Sequence, residues 1–519
     1  MDGPCGHRRA FPSQTMSSRR TLSVLALAGW LALMVLLQPI NHDEDQYVAA
    51  AALAARGLLP FRDFLYLQMP LQPFILGPLA AVTPGWTLLA LRLANAAFAL
   101  AAIIGVYGAL RRHGAGDRTA AWASGLLAFS VPFAYGARVA RNDALPTALM
   151  AMALWALAGT PGRTRLLLAG LALGLATSAK ISLALPLAAV GLWLLWQALA
   201  RHARAGWVDV LAYGAGGVIG LLPSLAARIA HPGAFDYGVL RFPVEASAAW
   251  YLGNGLDGRL TLAGKLFDSV LALAQGPALP ALVLVAVVAV RRRQFGMLEA
   301  LLVGALVGAL LPTPTWPQYF MPMLPPLFVL LGRDIDRMPR LARPALTSVA
   351  AATAVALLAI GGVAWQRVGA PAALAVTADA RWIGAQVSGP GAIASLSVAR
   401  VVDSGHRFDA RFAGGAAFYR TAGDRSPTEL RRWRMTSPQT LAADLDRRPP
   451  AALLTGYEGA SGVNRRRQPD AGLAAWARSR GYRRVPTPDG QGTLWLPPHP
   501  AVAQDRGIAG PKGPAAAAG

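Results

Sequence analysis

The sequence predicts an α-helical polytopic membrane protein of about eleven transmembrane helices, with interfacial helices in the first external loop and a small C-terminal α/β domain. Of the 519 residues, 54% are hydrophobic and only 14% are charged, whereas a soluble domain carries about 25% charged residues. The apolar residues lie in long blocks, and a helix of about 20 apolar residues is long enough to cross a bilayer. A net charge of +23 is typical of chains that contact anionic membrane surfaces, nucleic acid or phosphorylated substrates.

The first predicted span covers residues 22–40, with Arg19 and Arg20 before it and three acids after it. A secretory signal peptide is the competing interpretation. We disfavour it because the apolar run is long and no small-residue cleavage site precedes the acids. Further apolar stretches follow at about residues 87–110, 119–133, 144–159, 166–179, 181–199, 210–229, 267–290, 296–311, 318–332 and 345–364. Residues 21–365 are therefore expected to form one transmembrane domain.

The distribution of basic residues predicts the orientation of this domain. Arginines concentrate in alternate loops, and loops that are rich in arginine normally stay in the cytoplasm. With an odd number of spans the two termini lie on opposite sides, so residues 1–20 are expected to be a disordered cytoplasmic segment. The Met16-Ser-Ser-Arg-Arg sequence suggests that Met16 is the true start. We expect a multi-pass protein of the inner or plasma membrane, with its C-terminal domain on the outer side.

The region after the last span changes character. Residues 391–398 and 451–455 are typical of short buried strands, and 492–496 of a last strand. Residues 470–480 predict a helix that ends at Gly481. We therefore expect an external α/β domain over 366–499, followed by a disordered tail over 500–519 that is rich in Ala, Pro and Gly.

Composition excludes several kinds of protein. The single cysteine, Cys5, excludes an internal disulfide framework and a cysteine-based zinc site. The basic residues are dispersed among short loops with no basic aromatic face, which argues against a nucleic-acid partner.

The first external loop is the most informative stretch. Asp43, Glu44 and Asp45 stand at the mouth of a membrane span, next to a helical pattern over 48–56. The simplest interpretation is that they end a helix in water, but acids are unfavourable at a helix C-terminus because the macrodipole is negative there. They could also cap the next helix. The run 71–82 is apolar but too short to span, so we expect it at the interface or packed on the bundle.

A second external loop contains Arg138, Arg141, Asn142 and Asp143. These residues could pair with one another as a structural ion pair. Alternatively an arginine could bind phosphate oxygens bidentately beside a second carboxylate. Lys180 lies between two apolar runs, where a lysine is costly unless it snorkels to the interface or finds an anion.

Long aromatic loops come later in the chain. The loop 231–262 holds Phe235, Tyr237, Phe242, Trp250 and Tyr251, and the segment 316–320 is a weaker case. Such aromatics are usually interfacial anchors, although they could also form a wall for a sugar or a lipid.

These motifs, in this order, resemble the GT-C superfamily of membrane glycosyltransferases, specifically the bacterial branch related to protein O-mannosyltransferases and lipid A aminoarabinose transferases. The resemblance covers residues 20–335. It rests on the following motifs: Asp43-Glu44 with Tyr47, Leu58-Leu59-Pro60-Phe61-Arg62-Asp63-Phe64, Arg92 with Asn95, Arg141-Asn142-Asp143-Ala144-Leu145, Ala179-Lys180, and Gln318-Tyr319-Phe320-Met321-Pro322-Met323-Leu324-Pro325-Pro326. The chain departs from the family at Gln68-Met69-Pro70-Leu71 and at Gln318, where a histidine is common.

The resemblance implies an inverting transfer of a sugar from a polyprenyl-phosphate donor to an acceptor hydroxyl of a glycan, lipid or protein on the outer side. Catalytic roles are expected for Asp43 as general base, Glu44 as the alternate base and Asp143. Substrate-binding roles are expected for the following residues: Arg62, Asp63, Arg138, Arg141, Lys180 and Tyr319. No cofactor is expected. The clustered carboxylates with His42 would suit a divalent metal, but the nearest branch does not generally need one.

Two other classes of protein fit part of the sequence. A transporter or lipid flippase commonly shows internal repeats and broken helices around a midplane site, whereas the charged residues here collect at the external ends of the spans. A non-catalytic scaffold whose C-terminal domain binds a partner is the second alternative.

Overall fold

The computed structural model describes residues 18–200, 206–293, 295–337, 339–365, 371–458 and 468–498. Most of the segments that the sequence predicts to be disordered, 1–20 and 500–519, lie outside the described residues. The first part of the chain is helical, with these α-helices: α1 Ser18–Leu37, α2 Glu44–Ala54, α3 Leu71–Val82, α4 Thr87–Arg112, α5 Asp117–Gly125, α6 Val131–Arg138, α7 Ala144–Leu157, α8 Arg163–Ala179, α9 Ala184–Leu199, α10 Trp207–Ala230, α11 Pro232–Phe235, α12 Phe242–Gly253, α13 Leu262–Ala274, α14 Ala278–Arg292, α15 Met297–Leu310, α16 Leu324–Arg337 and α17 Pro339–Trp365.

Every apolar stretch of the sequence forms helix in this part of the molecule. Three helical segments of the described chain are long and apolar enough to cross a membrane unaided: α4, the segment Ile181–Leu199 and α10. Two bent pairs raise that number to five if each pair is one span. Several other apolar helices are shorter than 18 residues, so the count of about eleven spans stays a prediction.

The two bent pairs correct the predicted spans. The stretch 267–290, predicted as one helix, is divided into α13 and α14 with an angle of 101° between them. The break falls at Gly276 and Pro277. Gly276 has φ +133°, and a side chain there would lie 2.7 Å from the carbonyl oxygen of Phe129. The stretch after residue 117 likewise bends by 68° before α6.

Close contact between α8 and α10 positions the end of α8. Gly216 and Gly220 on α10 face α8, and a Cβ at Gly216 would lie 2.0 Å from the carbonyl oxygen of Leu167. Small residues four apart allow two helix backbones to approach closely in a membrane. Ser178 Oγ also donates to the carbonyl of Gly220 at 2.9 Å. Lys180, directly after α8, is therefore carried on a firmly packed helix.

The C-terminal part forms the expected small α/β domain. Its helices are α18 Ala372–Gln386, α19 Gly415–Tyr419, α20 Pro427–Trp433, α21 Leu441–Arg447 and α22 Ala471–Ser479. Its strands are β1 Ala392–Ala394, β2 Arg407–Phe408, β3 Ala452–Thr455, β4 Arg483–Pro486 and β5 Thr493–Leu496. The sheet order is β2-β1-β3-β5-β4, with β1 parallel to β2 and β3, and β5 antiparallel to β3 and β4. The edge strands β2 and β4 were not predicted, because one is two residues long and the other is largely exposed.

Polar contacts hold this domain against the helical part. The Asp403 carboxylate accepts hydrogen bonds from the backbone N–H groups of Thr87 (2.7 Å) and Leu88 (3.3 Å), at the start of α4. An anion at a helix N-terminus satisfies donors that have no partner within the helix. The rings of Tyr237 and Trp433 stack with centroids 4.3 Å apart. The C-terminal domain is thus docked on the start of α4 and on the segment that follows α10.

Candidate active site

A cavity of about 510 Å³ lies where the first loop, the end of α6, α12, the segment before α16 and the C-terminal domain meet. Its walls include seven aromatic residues and four arginines. Of the residues predicted for the site, Asp43, Arg138, Arg141 and Tyr319 line it. The other lining residues include Asn41, His42, Gln46, Tyr47, Gln68, Tyr135, Phe242, Trp250, Tyr251, Arg259, Trp316, Gln318, Ala417, Arg420 and Thr421.

The three consecutive acids of the first loop point to three different places. Successive residues on a helix are rotated by about 100°, so neighbouring side chains diverge. Asp43 faces the cavity. Glu44 enters the helical bundle, where its side chain is fully buried. Asp45 turns to the C-terminal domain and accepts a hydrogen bond from the backbone N–H of Ala399 at 2.8 Å.

Asp43 is an ionised carboxylate at the cavity wall, with 28% of its side chain exposed. Its Oδ2 pairs with Arg141, and its Oδ1 lies 3.3 Å from Nε2 of His42. Burial alone would raise the pKa of Asp43, but the Arg141 guanidinium, with His42, outweighs burial and lowers the pKa to about 2. A positive neighbour favours the charged form of a carboxylate. Asp43 therefore carries its charge across the physiological pH range.

Arg141 connects Asp43 to a second carboxylate. Its Nε lies 3.2 Å from Oδ2 of Asp143, which is fully buried. Asp143 in turn pairs with Nζ of Lys180 at 2.5 Å, and Lys180 lies 5.0 Å from the centre of the Tyr319 ring. These alternating charges therefore form a continuous row of ion pairs from the cavity into the helical bundle. Of the two alternatives that the sequence leaves open, the ion pair between Arg141 and Asp143 is present, and Arg141 lines the cavity as well.

Backbone contacts fix the position of Arg141. Its carbonyl oxygen accepts hydrogen bonds from Asn95 Nδ2 at 2.8 Å and from Gln72 Nε2 at 3.0 Å. The neighbouring Asn142 accepts from the Tyr47 hydroxyl at 2.9 Å. Buried hydrogen bonds of this kind restrict both backbone and side chain. The Arg141-Asn142-Asp143 motif is therefore held by α3, α4 and α2 together.

Glu44 is enclosed by donors. Arg92 binds it in a bidentate manner, with Nε 2.8 Å from Oε1 and Nη2 2.6 Å from Oε2. The backbone N–H groups of Ala140 (2.6 Å) and Asn41 (2.8 Å) also donate to it. Neither Glu44 nor Arg92 has any exposed side-chain surface. The geometry therefore gives Glu44 a structural position behind the cavity, whereas the sequence suggests it as an alternate base.

Arg62 and Asp63 are brought together, but away from the cavity. Their side chains pair at 2.7 Å, with Arg62 half exposed, and Asp63 also lies 3.6 Å from Arg434 of the C-terminal domain. Neither lines the cavity. Their predicted contact with substrate has no geometric support there.

Metal ligands do not converge in the described part of the chain, where no group of three His, Cys, Asp or Glu side chains could hold an ion. The acids near His42 are each bound by other partners: Asp43 by Arg141, Glu44 by Arg92, and Asp45 by the N–H of Ala399.

Arg420 is a cavity arginine that sequence reasoning missed. It follows α19 of the C-terminal domain, and it lies beside Trp250 with its guanidinium carbon 4.5 Å from the ring centre. The family resemblance covers residues 20–335 only, and the segment Tyr419-Arg420-Thr421, which lies beyond it, contains no recognisable motif. Only the docking of the C-terminal domain brings Arg420 to the cavity.

Part of the helical region matches a known protein family in sequence. Residues 68–226 match the family of dolichyl-phosphate-mannose-protein mannosyltransferases. No curated protein matches the chain by sequence. The matched range includes the Arg141 motif and Lys180, whereas Asp43 and Glu44 precede it.

Two crystal structures of ArnT from Cupriavidus metallidurans share the fold. The apo structure has a TM-score of 0.55 at 15% identity, and the alignment covers 93% of this chain and 98% of ArnT. The structure of the same protein bound to undecaprenyl phosphate has a TM-score of 0.54 at 16% identity, covering 92% and 98%. The family match and the shared fold confirm the predicted resemblance to the GT-C superfamily.

Proposed function

We propose that this protein is an inverting membrane glycosyltransferase. It moves a sugar from a polyprenyl-phosphate donor to an acceptor hydroxyl bound in the cavity. The acceptor is a glycan, a lipid or a protein of the cell envelope. The observation that carries the proposal is the ionised Asp43 at the wall of an aromatic, cationic cavity, in a chain with the fold of a protein known in complex with undecaprenyl phosphate.

Asp43 acts as the general base in this proposal. Its carboxylate accepts a hydrogen bond from the acceptor hydroxyl, within about 2.6–3.2 Å. The hydroxyl oxygen forms a bond to the anomeric carbon on the face opposite the phosphate, and Asp43 takes the proton. Because the Asp43 pKa is about 2, the proton moves late, when bond formation has made the hydroxyl strongly acidic.

The leaving group is the polyprenyl phosphate itself. The bond between the anomeric carbon and the phosphate oxygen breaks, and the phosphate leaves with the electron pair. It therefore needs positive charge nearby and no strong general acid. Arg138 and Arg141 lie at the cavity wall and supply positive charge there. Lys180 and Asp143 hold Arg141 in place from behind.

The aromatic residues of the cavity suit the remaining parts of the substrates. Trp250, Tyr251, Trp316 and Tyr319 line the cavity, and aromatic rings of this kind bind the apolar face of a sugar ring or the first units of a prenyl chain. A lipid-linked donor reaches such a site from the membrane. We therefore propose a multi-pass inner-membrane or plasma-membrane enzyme whose cavity and C-terminal domain face outward.

The proposed reaction uses no metal ion. The carboxylates that could have bound one are each occupied by a cation or a backbone N–H group. Dialysis of the purified protein against a chelator is expected to leave turnover unchanged. Activity that disappears on dialysis and returns with a divalent metal would contradict this part of the proposal.

Turnover in proteoliposomes tests the function directly. The full chain is reconstituted with undecaprenyl-phosphate-linked sugars and an envelope lipid extract, and undecaprenyl phosphate release is measured. We expect release together with a new glycosylated product by mass spectrometry. Movement of the donor across the bilayer without release would contradict a transferase and identify a flippase.

A further inference from the structure

The cavity contains a cation that the proposed mechanism does not use. Arg420 lies at its wall together with Ala417 and Thr421. Positions three and four residues apart lie on one face of a helical turn, so this face of α19 and the residues after it form one wall. The C-terminal domain therefore contributes part of the site.

Three other cations at or near the cavity pair with carboxylates of the protein. Arg141 pairs with Asp43 and Asp143, and Lys180 pairs with Asp143. Arg259, which also lines the cavity, lies 3.0 Å from Asp268. A phosphate that approached these groups would have to compete with a carboxylate for each of them.

Arg420 has a different environment. Among the described residues no side chain forms an ion pair or a hydrogen bond with its guanidinium, and its buried Nε has no acceptor. One face rests on the ring of Trp250 at 4.5 Å. Burial lowers the pKa of Arg420, while Asp43 and Glu458 attract it from a distance. A buried N–H group that lacks an acceptor, such as Nε of Arg420, is costly unless a ligand supplies one.

The position of Arg420 relative to Asp43 is set by the docking of the domain. Gly415, at the start of α19, has φ +61°, and a Cβ there would lie 3.3 Å from Cβ of Asp45. Asp45 also binds the N–H of Ala399 at 2.8 Å. These contacts attach the segment that carries Arg420 to α2, two residues after Asp43.

We propose that Arg420 binds a phosphate group in the cavity, so that the C-terminal domain completes the anion site of the enzyme. The proposal rests on the proposed function for the source of that phosphate, the polyprenyl-phosphate donor. A guanidinium on an aromatic ring presents its N–H groups at the edge and binds phosphate oxygens in a bidentate manner. Phosphate would satisfy the Nε donor that the protein leaves without an acceptor.

Binding measurements on the full chain in lipid nanodiscs test the proposal. The variants are Arg420→Ala and Arg420→Lys, with Arg432→Ala as a matched control, because Arg432 is exposed on α20 and outside the cavity. The probes are undecaprenyl phosphate, undecaprenol and inorganic phosphate. We expect Arg420→Ala to weaken undecaprenyl phosphate binding by about 10- to 100-fold. Arg420→Lys should bind more tightly than Arg420→Ala but more weakly than the wild type, since lysine keeps the charge without the bidentate geometry.

The three probes separate this proposal from the proposed function. Undecaprenol binding should be equal in all variants, because it lacks the phosphate. If both phosphate probes bind Arg420→Ala as tightly as they bind the wild type, the role of Arg420 is overturned and the transferase proposal stands. If inorganic phosphate binds in an Arg420-dependent manner but undecaprenyl phosphate does not bind, the anion site is supported and the donor class is overturned. Arg420→Lys, which preserves the charge, keeps the test valid if Arg420→Ala does not fold.

Discussion

Two arginine–carboxylate pairs begin from adjacent acids of the first loop and differ in what surrounds them. Glu44 and Arg92 have no exposed side-chain surface, and every oxygen of the carboxylate has a donor. Asp43 keeps 28% of its side chain exposed, and its partner Arg141 is shared with Asp143. Chemically the pairs are alike. They differ in exposure to the cavity: the Glu44–Arg92 pair is enclosed and supports the fold, whereas the Asp43–Arg141 pair is open to a substrate.

Replacement of Asp43 should have the largest effect on transfer and should distinguish the two pairs most clearly. Asp43→Asn removes the proposed base, so transfer should fall by about 100- to 10,000-fold. The fold should survive, because the amide still fits between His42 and Arg141. Donor turnover in proteoliposomes and the thermal midpoint measure the two effects separately. Asp446→Asn in the C-terminal domain is the matched control, and turnover by Asp43→Asn that equals the control would remove Asp43 from the mechanism.

Loss of Arg92 should affect stability instead of chemistry. Arg92→Gln leaves the Glu44 carboxylate buried without its counter-ion, which costs about 3–5 kcal/mol. We expect a lower thermal midpoint and a lower yield, with turnover per folded molecule close to that of the wild type. A stable Arg92→Gln protein that has lost turnover would reverse the roles assigned to the two pairs.

Loss of Arg141 should change the pH dependence of transfer. In Arg141→Gln the strongest positive neighbour of Asp43 is lost, so its pKa rises from about 2 toward the ordinary value for aspartate, about 3.9. Asp43 would then be protonated over a wider acidic range, and the acid limb of the rate profile should move to higher pH. The rate at neutral pH should fall by about 10- to 100-fold. The acid limb is measured between pH 3 and 7, and an unchanged limb would show that Arg141 does not control the charge of Asp43.

The Arg62–Asp63 pair should show the smallest effect. It lies at the surface, with Arg62 half exposed, and exposed ion pairs contribute little to stability. Arg62→Ala is expected to leave turnover within about twofold and the thermal midpoint nearly unchanged. A selective rise in the KM for the donor would instead support the substrate contact that the family resemblance implies.

Much of the architecture could be predicted from the sequence because hydropathy acts locally. Each apolar stretch became a helix, and the strands at 391–398, 451–455 and 492–496 appear as β1, β3 and β5 in shorter form. The 101° bend between α13 and α14 was missed, since an apolar run that crosses Gly276-Pro277 looks continuous in composition. Edge strands such as β4 were missed because they bury too little to show a pattern.

The candidate site was predictable only in part. The motifs around Asp43 and Arg141 pointed to residues that meet, although 98 positions separate them. The burial of Glu44 and the exposure of Asp43 could not be predicted from their positions in the chain, because the two residues are adjacent and differ only in the direction of the side chain. Arg420 could not be identified from the sequence, because the residues around it form no recognisable pattern.

The sequence by itself determined that this is a helical membrane protein with an α/β domain at its end, and it placed acids and arginines in two loops after membrane spans. Hydrophobic burial along a helix depends on neighbours in the chain, so composition and spacing are sufficient to predict it. Only the tertiary structure decided which carboxylate faces the cavity and which arginines pair with a carboxylate. It also decided that the C-terminal domain completes the cavity wall. Those properties depend on contacts between distant segments, and the direction of a single side chain decides each of them.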